Sequence, residues 1–505
     1  TNRVIPASRH YYGTAALGAV AAPGLETKLQ ELTGSGTSRT WTTTAQTSYD
    51  QWGRVTSATD TLGNIATTVF TQTVGGLLTT MATTTADPDG TGSGTPLTTT
   101  STFDTKWGTP VKTVQPGGQT TESSLDALGR VTAVWQPGRS KASQTASATY
   151  DYVVSKTAPS TITTKTLLTN GSSYQTSVSL LDSFLRTRQT QTQSAAGGRL
   201  ITDTRYDSRG NAVLVDSYYN LTAPNTTLVQ PTTRTSILNS HRYSFDFDGR
   251  ATRDGFYSEE TLKWQTLTAY KGDRVAVTPP AGGTPTTTVS DLQGRTTQLV
   301  QHLGTDTSAP GATTSYSYDP AGNMVRMVDA KGNRWDYTYD LSGNKLTAKD
   351  PDKGLSSSAY NAANQLVSTT DARGVTLKYF YDNLGRSTRT TKADGTTVLV
   401  DTVYDTVKKG LVTSTGRHLA GGTITSRVDS YDTAGRATSA TVVVPQIDGL
   451  IPSQLAGSYT TTTSYNPDGS INTQGLPATG PIPSETLSYG YTSLTGLPDT
   501  LTGTL

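Results

Sequence analysis

The sequence predicts an all-β fold built from repeated hairpins, and three observations predict it. Thr, Ser, Gly and Tyr fill the place that apolar and charged residues usually take. Hydrophobic residues are 33% and charged residues 16% of 505, with 49 Gly and 25 Tyr, against roughly 25% charged in typical domains. Thr, Tyr and Val favour pleated, half-buried strands. A turn phrase recurs at a fixed period. Between turns, residues alternate in character, as a strand with two different faces requires.

The period is sharpest in the middle of the chain. Tyr318, Tyr339, Tyr360 and Tyr381 are 21 residues apart, and each opens a turn: "YDPAGN", "YDLSGN", "YNAANQ", "YDNLGR". Halfway between lie "DAKGN" at Asp329, "DPDKG" at Asp350 and "DARGV" at Asp371, so turn-opening residues alternate 10 and 11 apart. Asp or Asn at the start of a turn bonds the backbone two residues on. Gly, or Asn364 in its place, takes the positive φ of a tight hairpin. About six residues remain for each strand, a common length. One period is thus a hairpin and its link to the next. In "NRWDYTYD", Trp335, Tyr337 and Tyr339 share a face, and in "VTLKYFYD" Leu377, Tyr379 and Tyr381 do.

Taken in chain order, the phrase recurs more loosely: "YDQWGR" at Tyr49, "LDALGR" at Leu125, "LDSFLR" at Leu181, "YDSRGN" at Tyr206, "FDFDGR" at Phe245 and "SDLQGR" at Ser290. After the strict stretch come "YDTVKKG" at Tyr404, "YDTAGR" at Tyr431 and "YNPDGS" at Tyr465. Leu and Phe in place of Tyr imply that the first position needs bulk and apolar surface rather than a phenol hydroxyl. "TADPDGTGSGTP" (Thr85–Pro96), "QPGRSKASQ" and "VVVPQIDGLIPSQLAGS" read as longer loops, and the closing "SYGYTSLTGLPDTLTGTL" as strand and turn.

These phrases resemble the YD repeat, or Rhs repeat, of bacterial Rhs polymorphic toxins, wall-associated toxins, Tc toxin B and C subunits and the teneurins. The resemblance covers residues 41–505, strictest over 315–392, with 1–40 as a lead-in. It implies hairpins winding into one spiralling, continuous sheet that closes wholly or in part into a hollow shell or cocoon. It further implies a secreted or surface-exposed toxin shell that encloses or presents a toxic C-terminal passenger or sibling fragments. No passenger, N-terminal plug or paired Asp-Pro protease motif is recognisable, so no protease residues carry over. The chain reads as an internal stretch of a longer protein. The positions carried over are structural: Tyr318, Asp319, Gly322, Tyr339, Asp340, Gly343, Tyr381, Asp382, Gly385, Tyr431, Asp432 and Gly435.

Chemistry has little to stand on. Zero Cys excludes thiol catalysis and Cys-ligated metals. A formal charge of +2 with scattered Lys and Arg gives no nucleic-acid footprint. The longest apolar run, Tyr11–Leu25, is too short and too broken to span a membrane. The Asp residues fall at turn starts, which accounts for them without glycosidase chemistry. His10, His241, His302 and His418 lack metal-ligand spacing. "DPDG" at Asp87 lacks a calcium-loop pattern, and no phosphate loop or nucleophile elbow is present. "NGS", "NLT" and "NTT" at Asn170, Asn220 and Asn225 are triplets that a Thr-rich chain contains by chance. The expectation is therefore a non-enzymatic shell without catalytic residues, metal or cofactor. The alternative is a surface adhesion or carbohydrate-binding protein in which Trp52, Trp107, Trp135 and Trp335 stack on glycan.

Overall fold

The computed structural model describes residues 7–13, 24–35, 38–90 and 95–504. Most of the apolar run after Tyr11 and the tip of the Thr85–Pro96 loop (residues 91–94) lie outside them. The described residues form 38 strands in one sheet, with a single short 3-10 turn at Arg234–Ser236. Each strand pairs antiparallel with the strand before and the strand after it. The two end strands, Ser8–Tyr12 and Pro498–Thr502, pair on one side only. The sheet is therefore an unclosed ribbon whose strands cross its width. None of its helices is long and apolar enough to span a membrane.

Simple up-and-down connection has a consequence for placement. Every turn that follows an odd-numbered strand lies along one long edge of the ribbon, and every turn that follows an even-numbered strand lies along the other. The Tyr-Asp turns all follow odd-numbered strands, for example the twenty-fifth, Arg334–Tyr339, and the thirty-third, Gly422–Tyr431. We call that side the tyrosine edge.

The wall is one sheet thick, so few side chains are fully buried. The largest buried patch forms where the segment 221–238 folds back over the strands between Ser160 and Tyr206. There Val178, Leu180, Ile201 and Ile237 are at most 2% exposed. Gln189 and Gln191 are wholly buried beneath the segment and hold it as a neighbouring strand would. Their amide nitrogens donate to Val229 O and Thr227 O, and their oxygens accept from Val229 N and Asn225 N, at 2.8–3.0 Å. Such pairing removes the cost of burying an amide. Two charged pairs, Arg188–Asp203 and Arg234–Asp216, close the margin of this patch.

The ribbon winds over itself. Leu341 N donates to Gly34 O at 3.1 Å, and Asn383 N donates to Pro88 O at 2.9 Å. The Asn383 side-chain amide donates to Asp87 O, 296 residues away. A Cβ built on Gly138 would stand 3.1 Å from Ala434 Cβ, and one on Gly171 would stand 3.1 Å from Pro467 Cβ. In each case the turn after one strand meets the turn after a strand twenty-three later: second with twenty-fifth, sixth with twenty-ninth, tenth with thirty-third, twelfth with thirty-fifth. The same turns also meet ones twenty-five strands later, as Arg139 with Pro467 O and Leu168 with Gly496 show, so one circuit takes about twenty-four strands. Both offsets are odd, so the tyrosine edge of the later circuit lands on the opposite edge of the earlier one.

Candidate functional site along the tyrosine edge

The site is a repeated arrangement rather than a pocket, and a single turn shows how it is built. In "SDLQGR" the Asp291 N–H donates to Arg295 O, and Gly294 N–H donates back to Asp291 O, both at 2.9 Å. The carboxylate then fills the loop. Its Oδ1 accepts from Gln293 N and Arg295 N, and its Oδ2 accepts from Arg295 Nε. The fourth residue of the loop takes positive φ and the ladder shifts by one residue at the position before Asp, as in a glycine-type β-bulge. Asn replaces Arg in other copies: Asp319 accepts from Asn323 N at 2.8 Å and Asn323 Nδ2 at 3.0 Å.

The expected repeat positions adopt this geometry. Gly322, Gly343, Gly385 and Gly435 have φ of 95°, 85°, 76° and 85°. Asp319, Asp340, Asp382 and Asp432 each accept the backbone N–H four residues on, at 2.8–2.9 Å. Asn364 takes φ 60° where Gly would stand, and in the degraded copy "LDSFLR" Leu185 takes φ 61°.

The tyrosine hydroxyl does more than sequence reasoning assigned to it. Tyr318 Oη donates to Thr296 O at 2.7 Å, Tyr339 to Met324 O at 3.0 Å, Tyr381 to Leu366 O at 2.9 Å and Tyr431 to Val412 O at 2.6 Å. Each acceptor is the residue just after the preceding Tyr-Asp turn. Tyr206, Tyr404, Tyr465 and Tyr491 follow the same rule. Leu125, Leu181 and Phe245 keep apolar bulk at this position while Ser290 does not, so the turn forms without it, and where Tyr is present its hydroxyl ties one turn to the next.

Arginine completes the link. The Arg295 guanidinium pairs with Asp291 at 2.7 Å and lies 4.8 Å from the centre of the Tyr318 ring in the next turn. Arg186 with Tyr206, Arg250 with Tyr270, Arg386 with Tyr404 and Arg436 with Tyr465 repeat the stack at 4.2–4.5 Å. Aspartate, arginine and the next ring thus form a chain along the edge. No local pattern reveals it, because the Tyr that meets each Arg lies 18 to 29 residues further on. A register derived from the 21-residue period could have found it.

Electrostatics follow from the same bonds. The Arg295 side chain, helped by two backbone N–H groups and against partial burial, holds the Asp291 carboxyl below its ordinary range. The Asn333 side chain does the same for Asp329. Asp394, bonded first by the Thr397 hydroxyl and then by two backbone N–H groups, is lowered to about 2. At neutral pH these carboxylates are acceptors already committed to their turns.

Other candidates remain dispersed. His10 pairs with Glu26, His241 with Asp254 and His418 with Asp401, while His302 contacts Thr287 and Ala309 O. Among the described residues no three His, Cys, Asp or Glu groups converge as metal ligands do. Trp52 and Trp107 are about half exposed in turns of the tyrosine edge. Trp135 instead donates to Gln144 O within its own loop, and Trp335 to Asp350. The four indoles do not form one surface. An aromatic cluster that sequence reasoning missed, His241, Tyr243, Phe256 and Trp264, lies across three adjacent strands with ring centres 5.2–6.0 Å apart.

Comparison with known proteins places this architecture. The RHS Repeat family matches residues 291–334, 318–354 and 360–397. No curated protein matches the chain by sequence. Among solved structures, TcdB2-TccC3 superposes with TM-score 0.76 at 14% identity, covering 99% of this chain and 30% of its own. TcdB2-TccC3 without its hypervariable C-terminal region gives TM-score 0.76 at 13% identity, with coverage of 99% and 32%. The Tc holotoxin pore of Photorhabdus luminescens, carrying a TccC3 variant, gives 0.76 at 14% identity, again with 99% and 32%. The chain therefore spans about a third of the length of the structures it matches. The Tyr-Asp turns, their 21-residue period and the family match together identify residues 291–354 and 360–397 as RHS repeats, set in a sheet that shares the fold of these structures.

Proposed function

We propose that this chain is a non-enzymatic wall segment of a secreted or surface-exposed bacterial polymorphic toxin, and that the wall sequesters a toxic C-terminal passenger. The observation that carries this reading is the winding. A ribbon that stacks edge on edge encloses space, and it commits its aspartates and tyrosines to holding the wall. The wall-building unit is taken as residues 41–505, with the preceding strands joined to its leading edge. The twelve repeat positions named above act in that unit as structural residues. The similar TcdB2-TccC3 is known with and without a hypervariable C-terminal region, which fits a wall that stands whether or not a passenger is attached. The test is to express the chain with the open reading frame that follows it and to digest the product with protease. A resistant downstream segment that copurifies with the wall supports sequestration. A segment cleaved as fast as when it is expressed alone refutes it.

A second reading has one observation in its favour. Trp52 and Trp107, 54% and 48% exposed, lie on one edge, and exposed indoles can stack on sugars. Glycan-array binding that Trp52→Ala and Trp107→Ala abolish would establish it, and an array without signal would end it.

A further inference from the structure

Two neighbouring turns depart from the repeat, each at one position. Two residues past the loop of a Tyr-Asp turn, or of its Leu, Phe and Ser variants, the chain elsewhere places Thr, Val, Leu or Asn, but after the turn of Leu181 it places Arg188. Just before the first residue of the turn stand Ser, Thr, Ala, Val, Leu or Phe, but before Tyr206 stands Arg205. The first of these positions is the one that the ladder skips, as where Leu180 faces Gln189 and Leu181 faces Thr187. There Thr132, Thr297 and Thr388 turn back on the wall, their hydroxyls donating to Ser124 O, Val289 O and Phe380 O at 3.2 Å. An arginine in that place carries a charge away from the strand instead. The strands that bear Arg188 and Arg205 are hydrogen-bonded neighbours. Two departures on adjacent strands, both to a cation, mark a place where the repeat serves something besides the wall.

The two arginines meet in one cleft. With Arg186 they line a hollow of about 520 Å³ that Asp182, Tyr206 and Gln230 complete. Gln230 comes from the folded-back segment. Arg186 pairs with Asp182 at 2.7 Å, and Arg188 pairs with Asp203, which is 1% exposed. Arg205 is exposed, and among the described residues its guanidinium meets only Gln230 Oε1, at 3.3 Å. Three guanidinium groups thus answer to two carboxylates, of which Asp182 alone lines the cleft. Burial first, and the Arg205 charge next, hold the Arg188 guanidinium below its ordinary range. Like charges held this close repel, and an anion between them offsets the repulsion. We propose that the cleft binds an oxyanion, a phosphate or carboxylate group borne by a small molecule. Guanidinium forks match such oxygens with paired N–H donors. The volume lies within the roughly 300–1,000 Å³ of small-molecule sites, which leaves room for the body that bears the group. The site depends on this cleft and not on what the wall encloses, so its failure and that of passenger sequestration are distinguishable.

The test is calorimetric titration of the whole chain with inorganic phosphate and, separately, with acetate, each against chloride at equal ionic strength. At least one probe should bind saturably at a single site, and the tighter of the two identifies the group that the cleft takes. Arg205→Ser gives this position the residue that Ser48, Ser124 and Ser317 hold before their own turns. Because Arg205 is exposed, the circular dichroism and the thermal midpoint in chloride should not change. The affinity should fall by about tenfold or more, the scale of one lost hydrogen bond between charged groups. Arg209→Ser removes another exposed arginine, one that does not line the cleft, and should leave the affinity as it was. Neither probe binding beyond chloride, binding that survives Arg205→Ser, or an equal loss from Arg209→Ser overturns the proposal.

Discussion

At the scale of the residue, each Tyr-Asp turn separates three jobs. The carboxylate closes the loop, the fourth residue supplies a backbone conformation, and the tyrosine reaches its neighbour. Removing the hydroxyl should leave the packing intact. We predict that Tyr318→Phe and Tyr381→Phe each cost about 1 kcal/mol, the worth of one ordinary hydrogen bond, read as a fall in the urea midpoint. Leu185, at φ 61°, stands where other turns have Gly. A left-handed non-Gly residue costs roughly 1–2 kcal/mol, so Leu185→Gly should raise the midpoint. Acid should act on the carboxylates. Asp291, Asp329 and Asp394 are lowered in the folded state, the last to about 2. A carboxyl lowered by folding contributes stability above its unfolded value of about 4 and loses it as pH falls through the folded value. Circular dichroism followed against pH should stay flat from 7 to 5 and lose stability between about 4 and 2.

At the scale of the element, the sequence shows the hairpins clearly because turn chemistry is local. Asp, Gly and the alternation between them sit within ten residues of each other, so strands such as Arg334–Tyr339 and Thr376–Tyr381 are legible without tertiary knowledge. The hydroxyl bond from Tyr339 to Met324 O is not, since its acceptor is a backbone carbonyl that no residue type marks. The fold-back of 221–238 is equally hidden. Gln189 and Gln191 look like surface residues in a polar strand, yet they are wholly buried and hold that segment by its backbone. Truncating either leaves buried backbone groups unpaired, which costs about 1–3 kcal/mol. Gln189→Ala and Gln191→Ala should therefore speed proteolysis within 221–238 while the repeats after residue 315 remain intact, as mass spectrometry of the digest would show.

At the scale of the whole molecule, the winding explains why so little apolar residue suffices. A wall one sheet thick has no central core, and its stability adds up along the ribbon from neighbour to neighbour. Nothing in the 21-residue period states how many strands make a circuit, because that number comes from the small twist between each pair of strands. The contacts of Gly138 with Ala434 and of Gly171 with Pro467 reveal it. The account stands on this seam, and a disulfide across it is the most direct test. In a chain without cysteine, Gly171→Cys with Pro467→Cys brings two Cβ atoms to 3.1 Å, a few tenths of an ångström inside the roughly 3.5–4.5 Å of a disulfide, although the residues are 296 apart in sequence. Oxidation of the dilute double variant should give an intramolecular cross-link, identified as a linked peptide pair, in a chain whose circular dichroism is unchanged. A folded double variant that forms no such link would contradict the winding.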